Sequence, residues 1–157
     1  MEVCIILGSK SDLPVSDKCT STLEVLGVEH EVRIASAHRS PKFLEEVVSN
    51  ASNSGCKIFI GMAGLSAALP GVIASMTSLP VIGVPVGGKV PFDSLLSVTQ
   101  MPPGIPVASV GVDRGENAGL LAAQILSLGN EELHQRVVEY RKSKTEAVIS
   151  DDLSLRE

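Results

Sequence analysis

The sequence predicts an α/β fold: a flavodoxin-like three-layer sandwich with a five-stranded parallel sheet and a C-terminal helix. Two observations carry that prediction. Short β-branched runs alternate with longer helical stretches along the whole chain, and strands spaced by helices of this length form βαβ units around a parallel sheet. The chain of 157 residues also has the size of one ordinary domain. With no internal repeat or linker, residues 1–157 read as a single domain.

The elements follow in order. Residues 3–7 (VCIIL) make a first strand and residues 13–26 a helix that ends at Gly27. Residues 31–35 (EVRIA) are the second strand, followed by a helix over 41–52. Residues 57–60 are the third strand, with a short helix over 66–76. Residues 81–84 are the fourth, with a helical stretch over 93–99. Residues 107–111 are the fifth, then come a helix over 117–128 and a charged helix over 131–149. The crossovers are expected to be right-handed. Ligands in such a sheet bind at the carboxyl ends of the strands, near the topological switch point.

Residues 65–86 (LSAALPGVIASMTSLPVIGVPV) contain no charge. A helix that is apolar all round is normally buried on all sides, so burial against another copy, in a homo-oligomer, is expected.

Composition narrows the function classes. Hydrophobic residues make up 44% and charged residues 20%, a globular balance. A net charge of −5, with 3% aromatics and no Trp, speaks against a nucleic-acid partner, which needs a basic surface or stacking platforms. A small anion remains compatible, because a few aimed donors hold a phosphate. No run approaches the ~20 apolar residues that cross a bilayer, and no signal-type segment opens the chain. No membrane partner and a cytoplasmic location are expected. Cys4, Cys19 and Cys56 lack metal-ligand spacing and read as small buried hydrophobes.

Three loops carry candidate chemistry. Gly8-Ser9-Lys10-Ser11-Asp12 lies between the first strand and the first helix, where free N–H groups and the helix dipole favour an anion. The plainer alternative is that Ser11 or Asp12 only caps the helix. The loop is neither GxGxxG nor Walker A. Ser36-Ala37-His38-Arg39-Ser40-Pro41 follows the second strand and faces the same crevice. It joins an imidazole that titrates near neutrality to a fixed phosphate partner, although a lone His is more often structural. His30, in a turn, and His134, on the charged last helix, are expected to be solvated. Residues 63–71 (AGLSAALPG) follow the third strand and offer an apolar, chargeless wall. Core packing or an oligomer contact would explain them equally. A fourth region, the turn at residues 85–89 and the rigid loop at 100–106, has a plain turn as its alternative.

Taken together these residues resemble the PurE family over nearly the whole chain: GSKSD, SAHR followed by Ser-Pro, LPG, QMPPGIPV and NAGLLAAQIL, in that order. The resemblance implies purine biosynthesis without a metal or an organic cofactor. N5-carboxyaminoimidazole ribonucleotide would be converted to 4-carboxyaminoimidazole ribonucleotide by a mutase, or aminoimidazole ribonucleotide would be carboxylated directly by CO2. Carried over by position, it makes Ser9, Asp12 and Arg39 substrate contacts, Ser11 a further phosphate donor and His38 the general acid/base. Ser36, Gly64 and Leu65 from the same loops complete the expected substrate-binding set. It also implies a homo-octamer with shared active sites.

Four positions bear on the class. The bacterial mutase pattern has Gly at Leu65 and His at Ala68. Ser66 and Ala68 resemble the carboxylase class, but that class has Lys at Arg39 and Ser at Pro70. Most features favour the mutase. A receiver-like signalling domain on the same fold is the non-enzymatic alternative. It needs a carboxylate at the end of the third strand, where this chain has Gly61-Met62-Ala63-Gly64.

Overall fold

The computed structural model describes residues 1–156. Strand β1 (Val3–Leu7) is followed by a single 3-10 turn (Lys10–Asp12) and helix α1 (Leu13–Val25). Next come β2 (His30–Ile34), α2 (Pro41–Asn53), β3 (Ile58–Ala63), α3 (Leu69–Met76), β4 (Val81–Pro85) and α4 (Pro91–Thr99). The chain closes with β5 (Ala108–Ser109), α5 (Gly115–Ser127) and α6 (Glu131–Ser154). The five strands form one sheet in the order β2-β1-β3-β4-β5, and every pairing is parallel. This is the flavodoxin-like order the alternation predicts.

Period-two alternation along β1 builds two cores. Val3, Ile5 and Leu7 face one layer, with Val15, Cys19 and Leu23 of α1 and Ala118 and Ala122 of α5. Cys4 and Ile6 face the other, with Leu44 and Val47 of α2 and Ile73 of α3. A strand buried on both faces reads as an unbroken apolar run, as VCIIL does. All three cysteines are buried and free. Burial pushes the thiols of Cys4 and Cys19 up, the latter to about 12, so neither supplies a thiolate near neutral pH.

The structure revises several boundaries. Parallel pairing of Val3 with His30 starts β2 one residue early. His30 is therefore a half-buried strand residue and not a solvated turn residue, and its Nδ1 lies 2.9 Å from the Val28 carbonyl oxygen. The helix expected over 66–76 begins only at Leu69; residues 66–68 continue the loop that turns at Leu65, whose backbone is left-handed (φ 52°). Strand β5 keeps two residues of the expected five.

The chargeless segment is covered largely by its own chain. Leu69, Pro70, Ile73 and Ala74 of α3 are buried, so the helix does not need a second chain on all sides. Within the segment Leu65 is the exception, an exposed large apolar side chain; others lie outside it, among them Val90, Phe92 and Leu96 at α4 and Val148, Ile149 and Leu153 on α6.

Candidate active site

Register brings three loops together. Leu7 pairs with Ile34 on one side and Met62 on the other, so the chain leaves β1, β2 and β3 at one level. A cavity of about 570 Å³ opens there. Ser9, Ser11 and Asp12 line it from the first loop, Ser36, His38 and Arg39 from the second, and Gly64 and Leu65 from the third. The eight residues expected to bind substrate or to act as acid/base therefore line one cavity. The floor continues through Ala67, Ala68 and Leu69, an apolar wall as the composition of that loop predicts. A somewhat larger hollow, about 660 Å³, lies between Glu2, Lys57 and Glu131. It sits at the amino ends of β1 and β3, the end of such a sheet that does not carry ligands.

The first loop is pre-shaped by its own hydrogen bonds. The Ser9 N–H donates to Asp12 Oδ2 (2.9 Å), and the Ser11 N–H donates to Ser9 Oγ (3.4 Å). The Gly8 N–H donates to the Met62 carbonyl (3.0 Å). These three N–H groups, expected to be free for an anion, are thus engaged, two by the loop itself and one by β3. That leaves side chains to carry anion recognition. Ser11 Oγ donates to Asp12 Oδ1 at 3.3 Å, a long contact that a charged ligand would outcompete.

Asp12 does not cap α1 through its side chain; it closes the loop. Burial pushes its carboxyl up from the ordinary 3.8, while the hydrogen bonds from Ser9 and Ser11 and the nearby Arg39 pull it down. Upward wins, so the folded chain holds a desolvated carboxylate that its neighbours only partly compensate.

Arg39 fixes the second loop to the first. One guanidinium nitrogen donates to the Gly8 carbonyl (2.8 Å), and Nε donates to Ser36 Oγ (3.3 Å). Ser36 Oγ also accepts from the Arg39 N–H (3.2 Å), and Ser40 Oγ accepts from the Ser36 N–H (3.0 Å). Ser36 is thus a positioning residue for Arg39. The remaining guanidinium N–H groups stay open for an anion. His38 stands exposed on the cavity wall. Its ring makes no hydrogen bond among the described residues, so both nitrogens are available to exchange a proton with a ligand.

Two contacts escaped the sequence reading. Ser66 Oγ donates to Asp93 Oδ2 (3.1 Å), tying the third loop to the start of α4. Asp113, itself left-handed at φ 58°, accepts from the Gly87 N–H at 2.7 Å and so shapes the turn after β4. The two regions put forward as a fourth candidate do not line the cavity. Gly87 is held by Asp113, and Met101 packs toward Gly71. Among the described residues no group of three or more His, Cys, Asp or Glu could hold a metal ion, and no helix is long and apolar enough to cross a membrane.

Comparison with known proteins places the chain in a family. The chain is 51% identical over 156 residues to an N5-carboxyaminoimidazole ribonucleotide mutase of Methanocaldococcus jannaschii, covering 99% of this chain and 98% of that one. It is 47% identical over 148 residues to a chloroplastic phosphoribosylaminoimidazole carboxylase of Vigna aconitifolia, across 93% of this chain but only 27% of that one. The crystal structure of Treponema denticola PurE superposes with a TM-score of 0.88 at 32% identity, covering 99% of this chain and 98% of that one. The family model described as AIR carboxylase matches residues 2–147. By fold and by sequence, this chain belongs to the AIR carboxylase family.

Proposed function

We propose that this chain is an N5-carboxyaminoimidazole ribonucleotide mutase of purine biosynthesis, an isomerase that moves a carboxyl group from nitrogen to ring carbon 4. The observation that carries the reading is the cavity itself. An anion side built from Arg39, Ser9 and Ser11 faces an apolar wall at residues 64–69, with an unpartnered imidazole between them. The relative matched along its full length bears the mutase name.

The reaction needs little more than these parts. Arg39 and the serines take the phosphate, and Asp12 accepts from the ribose hydroxyls. His38 delivers a proton to the ring-attached nitrogen as its bond to the carboxyl carbon breaks and CO2 departs. Carbon 4 then attacks that CO2, and His38 takes the proton which carbon 4 loses, restoring the aromatic ring. One imidazole serves both transfers in turn, and the net change is an isomerisation with no redox step. The apolar wall keeps water from the freed CO2. The whole chain acts as one domain in this reading. We propose a cytoplasmic homo-octamer; the exposed apolar side chains of α4 and α6 support self-association, and the family resemblance supports the number and the location.

Isotope tracing tests it. Unlabelled carboxylated nucleotide is supplied in labelled bicarbonate, and early product is weighed by mass spectrometry. Direct transfer leaves the product unlabelled. Rapid label uptake, with efficient turnover of aminoimidazole ribonucleotide, would instead establish direct carboxylation, the reading that Ser66 and Ala68 favour.

A further inference from the structure

We infer that Leu65 is a water-excluding cap over the reacting carboxyl group, a positioning residue that keeps released CO2 in the site. The inference rests on the mutase reading. Three features of this side chain need a common cause. Leu65 holds a left-handed backbone at φ 52°, a conformation in which a residue with a Cβ is strained and Gly is not. Its side chain is 85% exposed, so no core contact compensates that strain. It nevertheless lines the cavity, on the same rim as His38. Strain kept at a ligand site without a packing return points to function.

The surroundings hold the cap in place. The Ala67 N–H donates to the Leu65 carbonyl at 2.8 Å, which tightens the turn. Ser66 Oγ is bound to Asp93 Oδ2, so the loop on the far side of Leu65 is anchored to α4. Gly64 on the near side leaves the Val86 carbonyl only the room that a missing Cβ provides. A fixed backbone thus presents an exposed isobutyl group to a cavity that Ala67, Ala68 and Leu69 also line. A ligand seated there would be apolar above and below, while the exposed imidazole and guanidinium hold its polar edge. CO2 is neutral and weakly solvated, and only exclusion of water and closure of the exit keep it beside carbon 4.

The test uses the full chain and four forms: wild type, Leu65→Ala, Leu65→Gly and Leu65→Met. Each converts unlabelled carboxylated nucleotide in labelled bicarbonate, and three quantities are read: label in early product, Tm and assembly mass. The expected result is a several-fold rise in label for Ala and Gly, and wild-type retention for Met. Tm should not fall in any variant, because the side chain is 85% exposed, and mass should not change. Label in Leu65→Ala equal to wild type overturns the inference while leaving the mutase reading intact. A fall in assembly mass assigns Leu65 to a subunit contact and also overturns it. Full labelling of the wild-type product removes the mutase reading, and the cap with it.

Discussion

The guanidinium of Arg39 donates to the carbonyl oxygen of Gly8 at 2.8 Å, a bond across 31 residues that locks the loop after β2 onto the loop after β1. The bond makes the anion side of the cavity rigid before any ligand arrives. Pre-organisation of this kind lowers the ordering cost of binding. It also explains why lysine would be a poor replacement: an ammonium cannot hold Gly8 and Ser36 in a planar fork and still face a phosphate.

Arg39→Ala is therefore expected to weaken nucleotide binding by roughly 1.5–3 kcal/mol, the range for a charge-assisted contact. Arg39→Lys should recover only part of it. The measurement is affinity for the nucleotide and for the matching riboside without phosphate. An equal loss for both ligands would take the phosphate away from Arg39.

His38→Asn should lower kcat by about 10²–10⁴, the usual cost of removing a general acid/base. The side chain is exposed and makes no hydrogen bond among the described residues, so Tm and nucleotide affinity should stay close to wild type. Single-turnover rates together with thermal melts check this. Near wild-type turnover would remove His38 from the mechanism.

Asp12 sets a pH dependence whose sign follows from its raised pKa. A carboxyl raised above its unfolded value favours the fold most when protonated. That contribution is complete below the ordinary value and is lost as pH rises through the folded value. Asp12→Asn keeps an acceptor for the Ser9 N–H and removes the desolvated charge. Tm of the variant should therefore meet or exceed wild type near pH 7, and the difference should shrink as pH falls toward about 4. Nucleotide affinity should fall at the same time. A variant that melts well below wild type near pH 7 would show that the charge itself holds the loop.

How much of this was legible in the sequence depends on the reach of each pattern. Strands β1, β3 and β4 were readable as apolar runs bounded by polar, Gly or Pro residues, and β2 by its β-branched Val32 and Ile34 alternating with charged residues. The site loops were readable because they lie where strands end. The fifth strand was found but drawn too long: Ala108 and Ser109 are exposed and only Ile82 and Gly83 pair with them, so little in the sequence marks its ends. The Ser66–Asp93 and Gly87–Asp113 contacts span 27 and 26 residues and leave no local period to detect. The free N–H groups expected after β1 were misjudged for a related reason. Composition shows which residues can cap but not which group they choose, and here Asp12 turned back to Ser9.

NAGLLAAQIL belongs to the family pattern, but its physical role here is packing, and that yields the last prediction. Helix α5 lies against α1 at very close range. A Cβ on Gly115 would overlap the Val15 carbonyl oxygen, and one on Gly119 would stand 2.9 Å from the Cys19 carbonyl oxygen. Ala118 and Ala122 beside them are fully buried. Small residues at this spacing let two helix backbones approach as larger ones cannot. In an exposed helix Gly→Ala is stabilising by about 1 kcal/mol. Here overpacking against fixed backbone opposes it, typically by about 1–3 kcal/mol, and Gly115 meets the harder obstacle because its Cβ would overlap a carbonyl outright while that of Gly119 would only stand too close to one. Gly115→Ala should therefore lower stability and Gly119→Ala should lower it less. Gly129→Ala, where a Cβ meets nothing within 4 Å, should leave it nearly unchanged. Urea melts of the three variants give the order directly. A Gly115→Ala chain as stable as wild type would mean that α1 and α5 slide apart freely, and that the close approach is not what these glycines provide.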